Sequence, residues 1–297
     1  MASPFLTVFT PTYNRAHLIV RVYESLCQQT CQDFEWLVID DGSTDNTREV
    51  IAQYIAEQRI AIRYIWKENG GLYTGYNTAY ANITSPLNVC IDSDDFMPEN
   101  SVELIRQTWN ERGGEQYAGI IGLDFYADKK QPIGGYFPKD LNEVYLHDLY
   151  LYRIHLGDAK QVMRTDLMSH IAPQIGFPNE KDFNPIYMLL QACDTLPLLV
   201  INENLCWVDY QKTGMAANIF KQYVRSPHSL IKMRKMEMNL QRNTFRNLLR
   251  LNIHYVSSCL IARNKHWLKD SPNPLLTLLM APFGFILYLF ILWKNRH

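Results

Sequence analysis

The sequence predicts an α/β protein: a mainly parallel sheet flanked by helices, followed by a helical, basic and finally apolar C-terminal extension. Three observations carry that expectation. Short apolar runs rich in β-branched residues alternate with helix-spaced apolar positions over the first 125 residues. Irregular, glycine- and proline-bearing chain then interrupts the alternation. Beyond residue 210 the charge changes sign, and the chain ends in an uncharged stretch.

Residues 5–10, 35–39, 60–66, 87–91 and 118–125 read as strands. Between them Leu18, Val22 and Leu26 recur at four-residue spacing, as do Val50 with Tyr54 and Ile51 with Ile55, which places each set on one helical face. Strands joined through helices must cross over, so they pair in parallel and point their carboxyl ends to one edge, where ligands of open α/β sheets collect. Residues 127–155, with Pro132, Gly134, Gly135 and Pro138, read as an inserted loop region. A further strand is expected over 160–164, a helix over 183–192 and two last strands over 198–202 and 205–209, with helices beyond Gly214. The expected divisions are 1–126, 127–212 and 213–297.

The overall charge of −1 conceals an asymmetry. Residues 1–210 carry 28 Asp and Glu against 15 Lys and Arg; residues 211–270 carry 12 Lys and Arg against Glu237 and Asp270 alone. A negative first half repels a duplex, so no nucleic-acid partner is expected. A basic segment leading into residues 274–293, twenty without a charge, suits an anionic membrane surface. Three readings of that stretch stand: a shallow or re-entrant attachment, one true span, and a buried or oligomer-forming helix. Pro282 and Gly284 near its middle favour the first. The six cysteines lack paired metal spacing, the histidines are unclustered, and no secretory signal is visible, so free thiols in a reducing cytoplasm are expected.

Three polar clusters fall where strands end: Thr10-Pro11-Thr12-Tyr13-Asn14-Arg15, Asp40-Asp41-Gly42-Ser43, and Asp92-Ser93-Asp94-Asp95. One Asp-x-Asp alone is an ordinary helix-capping turn. Three clusters at one sheet edge are different, because crowded carboxylates repel unless a positive charge lies between them. A hard divalent cation, Mg²⁺ or Mn²⁺, meets that need with one or two carboxylates plus the oxygens of a diphosphate.

These clusters, with Asn69-Gly70-Gly71 and Asn77 between the second and third, stand in the order and spacing of the family-2 inverting glycosyltransferases of GT-A fold, which residues 4–126 clearly resemble. The resemblance implies that residues 1–126 bind a nucleotide-diphosphate sugar and 127–212 form the acceptor side. It implies that Pro11, Tyr13 and Asp41 hold base and ribose, Tyr13 lying against the base, with Asp40 supporting the pocket. Thr10, Arg15, Asn69, Gly70, Ser93 and Asn77, in the same matched motifs, are implied as further substrate contacts. Asp92 and Asp94 become the signature for metal and diphosphate. The family's basic residue after Asn-Gly-Gly is replaced here by Leu72 and Tyr73, so a cationic donor contact is missing or comes from Lys67.

An inverting transfer needs a base for the acceptor hydroxyl. The segment Gly176-Phe177-Pro178-Asn179-Glu180-Lys181-Asp182-Phe183 resembles an acidic acceptor-side motif of some family members, which makes Glu180 the candidate base and Asp182 the alternative; capping a helix is the mundane use of either. Asp158, in Gly157-Asp158-Ala159-Lys160, is a candidate acceptor contact. Trp207 and Tyr210 offer a sugar-stacking face or fill the core, and the core is favoured. The expected protein is a metal-dependent glycosyltransferase acting on a glycan or lipid-linked acceptor in surface-polysaccharide biosynthesis, on the cytoplasmic face of a bacterial inner membrane. A non-catalytic sugar-binding scaffold and a sugar nucleotidyltransferase are the rivals; the latter's Gly-rich run with Arg and Lys after the first strand is missing.

Overall fold

A computed structural model of the chain describes residues 3–209 and 219–296; Tyr210, Lys212 and Gly214 lie outside the described residues. The chain forms two compact units. Met1–Pro173 with Ala192–Tyr210 makes the first, and Gln174–Gln191 with Gln211–His297 the second.

The first unit is built on one eight-stranded sheet in the order β3-β2-β1-β4-β7-β5-β8-β6. Strands β1 (Leu6–Thr12), β2 (Phe34–Asp40), β3 (Ile62–Trp66) and β4 (Leu87–Cys90) pair in parallel. Every residue of β1 and β2 is buried, as expected where helices cover both faces. The crossovers are α1 (Ile19–Cys27), α2 (Thr47–Glu57) and α3 (Leu72–Asn82). Ile19, Val22 and Leu26 of α1 and Ile51 of α2 join Leu6, Val8, Trp36, Val38, Leu87 and Val89 in a core closed to water. After α4 (Ser101–Arg112) the sheet turns mixed: β7 (Ala159–Arg164) runs antiparallel between β4 and β5 (Gly119–Tyr126), and β8 (Leu198–Val208) returns parallel to β5.

Two details differ from the sequence reading. The two expected last strands are one strand, β8, whose register with β5 shifts near Leu123; Glu203 and Asn204, the gap between the two expected strands, lie at that irregularity. Residues 127–155 contain a two-residue strand, β6 (Glu143–Val144), and a short helix, α5 (Leu146–Leu151). Both are too short to carry a period. Helix α6 (Thr165–Ile171) completes this unit's described elements.

In the second unit, α7 (Ile186–Ala192) begins within residues 174–191, and α8 (Ile219–Arg225), α9 (Pro227–Met238), α10 (Phe245–Ile261) and α11 (Pro274–Arg296) follow. Ile231, Met238, Leu251, Tyr255, Val256 and Cys259 form its core, with Ala281 of α11 packed against them. Helix α11 continues through Pro282. It turns Thr277, Gly284 and Ile291 inward at seven-residue spacing; a Cβ on Gly284 would stand only 2.5 Å from that of Val256.

Candidate active site

Register puts the carboxyl ends of the central strands side by side. Thr12 pairs with Asp40, Asp40 with Trp66, and Phe9 with Cys90, so the segments after β1, β2 and β4 leave from one edge. Short polar bonds then tie the loops together.

The first and second loops are linked through Asn14, whose backbone takes the left-handed conformation (φ 53°) that asparagine tolerates. Its amide donates to Ser43 Oγ at 2.9 Å, and its side-chain oxygen accepts from the Thr44 amide at 2.8 Å. Asp40, fully buried, accepts from the Ser43 amide at 2.7 Å and the Tyr64 hydroxyl at 2.6 Å. Buried Trp36 donates to Thr10 at 3.0 Å. Pro11 lies beneath α3, where a Cβ on Gly75 would approach it to 3.2 Å.

Asp41 ties the second loop to the third. Its carboxylate accepts from Lys67 Nζ at 2.6 Å and from the Gly70 and Gly71 amides at 3.0 and 2.8 Å, while Asn69 donates to its carbonyl at 2.8 Å. Gly42 must be glycine here: φ is +84°, and a Cβ would come within 2.8 Å of the Asn69 nitrogen. Lys67, expected as a donor contact, is thus ion-paired to Asp41. Asn77 is half-buried on α3, and Tyr13 is 47% exposed just past β1.

The fourth loop carries Asp92, exposed, Ser93, buried, Asp94, half-buried, and Asp95, buried. Asp94 meets Arg15 at 3.4 Å, which joins this loop to the first. Behind it stand two charges that the sequence reading missed: Asp124 of β5, with Lys160 of β7 at 3.8 Å. A carboxylate inside the apolar run 118–125 was the available signal. Burial pushes the Asp124 carboxyl up to about 6 although Lys160 opposes it. Burial also raises Asp95 to about 7, with Lys160 pulling down and Asp92, Asp94 and Asp124 pushing up. Asp94 is raised by burial and then by the Asp92 charge. For Lys160, burial opposes the charge, yet Asp124, Asp95 and Asp92 keep the ammonium protonated far above its ordinary range.

Asp158 is exposed immediately ahead of β7. Trp207, half-buried, packs edge-on to Phe125 with ring centres 5.7 Å apart and stacks on Phe96 at 6.4 Å.

In the second unit, Glu180 is 6% exposed and both its oxygens are engaged. Oε1 accepts from the His228 amide at 3.0 Å and lies 2.7 Å from His228 Nδ1; Oε2 accepts from the Ser229 amide at 2.7 Å. It therefore caps the otherwise unpaired first turn of α9. Asp182 is half-buried, with Ser226 Oγ donating to it at 3.4 Å.

Among the described residues, no group of three or more His, Cys, Asp or Glu side chains forms a metal cage. The donor set instead fits Mg²⁺ or Mn²⁺ completed by a ligand's phosphates: an exposed Asp92 and a half-buried Asp94, beside carboxyls that burial first, and the neighbouring Asp charges second, hold above their usual range.

Residues 7–150 match the model described as Glycosyl transferase family 2. The chondroitin synthase of Escherichia coli is 36% identical over 101 residues, 34% of this chain and 15% of that protein. The chain spans less than half the length of the curated relatives it matches. Among solved structures, S. aureus TarS 1-349 in complex with UDP-GlcNAc superposes with a TM-score of 0.60 at 15% identity, over 93% of this chain and 79% of that one. The mannosyltransferase PcManGT of Pyrobaculum calidifontis, in complex with GDP-Man and Mn²⁺, gives 0.55 at 17% identity over 99% and 84%. At such identities these two structures speak for the fold, which is GT-A. With that fold and the strand-end motifs in place, residues 7–150, just under half of the chain, carry its match to the family-2 glycosyltransferases.

Proposed function

We propose that the protein transfers a sugar from a nucleotide-diphosphate sugar to a glycan or lipid-linked acceptor, with inversion and with Mg²⁺ or Mn²⁺, in the assembly of a surface polysaccharide. The observation that carries this reading is the stitching of separate loops at one sheet edge: Arg15 to Asp94, Asn14 to Ser43 and Thr44, and Asp41 to Gly70 and Gly71. Such pre-ordering lowers the cost of placing a substrate. Supporting it, TarS and the Pyrobaculum mannosyltransferase were solved with sugar nucleotides, and the Escherichia coli relative is a chondroitin synthase.

In this reading Tyr13 covers the base, Pro11 and Asp41 seat the nucleoside with Asp40 fixing the loop, and Asn69, Gly70, Asn77 and Lys67 complete the donor side. Thr10, Arg15 and Ser93 add to the donor-side contacts. Asp92 and Asp94 hold the cation, which when bound neutralises the diphosphate and stabilises its departure. The acceptor oxygen attacks the anomeric carbon, and the electron pair of the breaking bond leaves with the diphosphate. The acceptor proton passes to a carboxylate of the 180–182 segment. Glu180 has both oxygens occupied by α9, so Asp182 is the less committed of the two. Asp158 contacts the acceptor. The chain works at the cytoplasmic face of a bacterial inner membrane, held there by its basic and apolar C-terminal region.

The test is a panel of UDP- and GDP-sugars with Mn²⁺ and polysaccharide fragments as acceptors, with products read by NMR. The account expects the anomeric configuration opposite to the donor's. A product that keeps the donor's configuration contradicts it.

A further inference from the structure

Helix α11 is 23 residues long, enough at 1.5 Å per residue to cross a bilayer of about 30 Å. Its packing within the second unit points elsewhere. The inward stripe is already used: the Thr277 hydroxyl donates to Asn252, Gly284 sits on Val256 and Ile253, and Asn295 donates to the Phe220 carbonyl at 2.9 Å. The outward face carries Leu275, Leu278, Leu279, Phe283, Ile286 and Trp293, all at least half exposed.

Gly284 lies near the middle of α11, so what accompanies it there decides how the helix meets lipid. The stretch of its partner α10 at that level is Ile253–Val256, which includes His254. Arg234 and Arg250 stand close enough to help depress the His254 ring, and Arg234 is itself ion-paired to Glu237 at 2.5 Å. A transverse α11 would carry these charges toward the bilayer centre, where each is costly. A helix lying along the surface avoids that. It sinks only the outward face into the acyl boundary and leaves the cations among the headgroups. Cations sit at both ends of the stripe: Lys265 and Lys269 shortly before α11, and Lys294 and Arg296 in its last turn, all exposed. Lys221, Arg225, Arg242, Arg246 and Arg250 add to the charge of the same unit and are exposed too.

We propose that α11 lies in the plane of one leaflet, its Leu275–Trp293 face among the acyl chains and the flanking Lys and Arg side chains on anionic phospholipid headgroups. This rests on the membrane attachment proposed above and specifies its geometry.

The test has two arms. The full chain is sedimented with vesicles of phosphatidylcholine, alone or with about a third phosphatidylglycerol. Binding to the anionic vesicles should be roughly tenfold stronger at low salt, and it should weaken as salt screens the charges. The double variant Leu279→Asp/Ile286→Asp, both outward-facing, should stay folded by circular dichroism and lose sedimentation. In the second arm an epitope is added after His297 in bacterial cells, and spheroplasts are treated with external protease. The epitope should survive until the cells are lysed. Cleavage in intact spheroplasts means that α11 crosses, which overturns the in-plane inference and leaves membrane attachment standing. Absence of binding to every vesicle overturns both readings. Self-association through α11 without vesicle binding, seen by analytical ultracentrifugation and abolished by the double variant, overturns both in favour of a second copy of the chain.

Discussion

In the proposed mechanism Asp94 and Asp182 carry the chemistry, and they can be tested against neighbours with structural work. Asp94→Asn should lower transfer at least about a hundredfold, since it removes one of two carboxylates offered to the cation. The Arg15 contact is a partly exposed pair at 3.4 Å, so little stability should go with it. Lys160→Met is expected to behave differently. It leaves Asp124 buried without its ion-pair partner, and roughly 3–5 kcal/mol of folding stability should be lost in denaturant titration. The 180–182 segment separates in the same manner. Glu180→Gln should cost about 1–3 kcal/mol through the charge-assisted bonds to α9. Asp182→Asn should leave melting almost unchanged while lowering kcat by about 10²–10⁴-fold. If instead Glu180→Gln abolishes turnover in a protein that melts normally, Glu180 is the base.

Elements were unevenly legible in the sequence. Strands β1, β2 and β4 announced themselves because burial on both faces leaves short runs dominated by apolar and β-branched residues, and the polar residues that follow them mark their ends. The partnership of Asp41 with Gly70 and Gly71 was less accessible. A backbone amide has no sequence signature, and only the parallel pairing of β2 with β3 brings those loops together. Asp124 and Lys160 were missed for a related reason: a lone charge in a strand becomes meaningful only once the antiparallel β7 is placed beside β5. The capping role of Glu180 is a contact across 48 residues, beyond any local pattern. Gly42 tests the loop architecture directly. Gly42→Ala demands a left-handed alanine against the Asn69 nitrogen, so it should cost about 1–3 kcal/mol and weaken nucleotide binding through the displaced Asp41 loop.

For the molecule as a whole, the second unit makes stability depend on pH in a predictable direction. Burial, and then the charges of Arg234 and Arg250, depress His254 to about 4 from its usual 6.5. The folded ring stays neutral while the unfolded ring takes up a proton below about 6.5, so the stability from His254 is complete above that pH and is lost as pH falls toward 4. His254→Asn should flatten this slope in melting curves between those values. The contrast of a net-negative stretch over residues 1–210 with a basic, apolar C-terminal region was plain from the sequence; which face of α11 packs inward was not, because nearly every residue along it is apolar. Since its inner stripe covers Val256, deleting α11 would expose the core, and substitutions on the outer face are the cleaner probe.

The measurement that bears most directly on the central claim is calorimetric titration of the protein with UDP and with GDP, each with Mn²⁺ or with EDTA, for the wild type, Asp92→Asn and Asp94→Asn. The account predicts that one nucleotide binds, that binding needs the cation, and that either substitution abolishes the dependence on Mn²⁺. Equal affinity in EDTA, or wild-type behaviour in both variants, would show that these carboxylates do not hold a metal on the donor's phosphates.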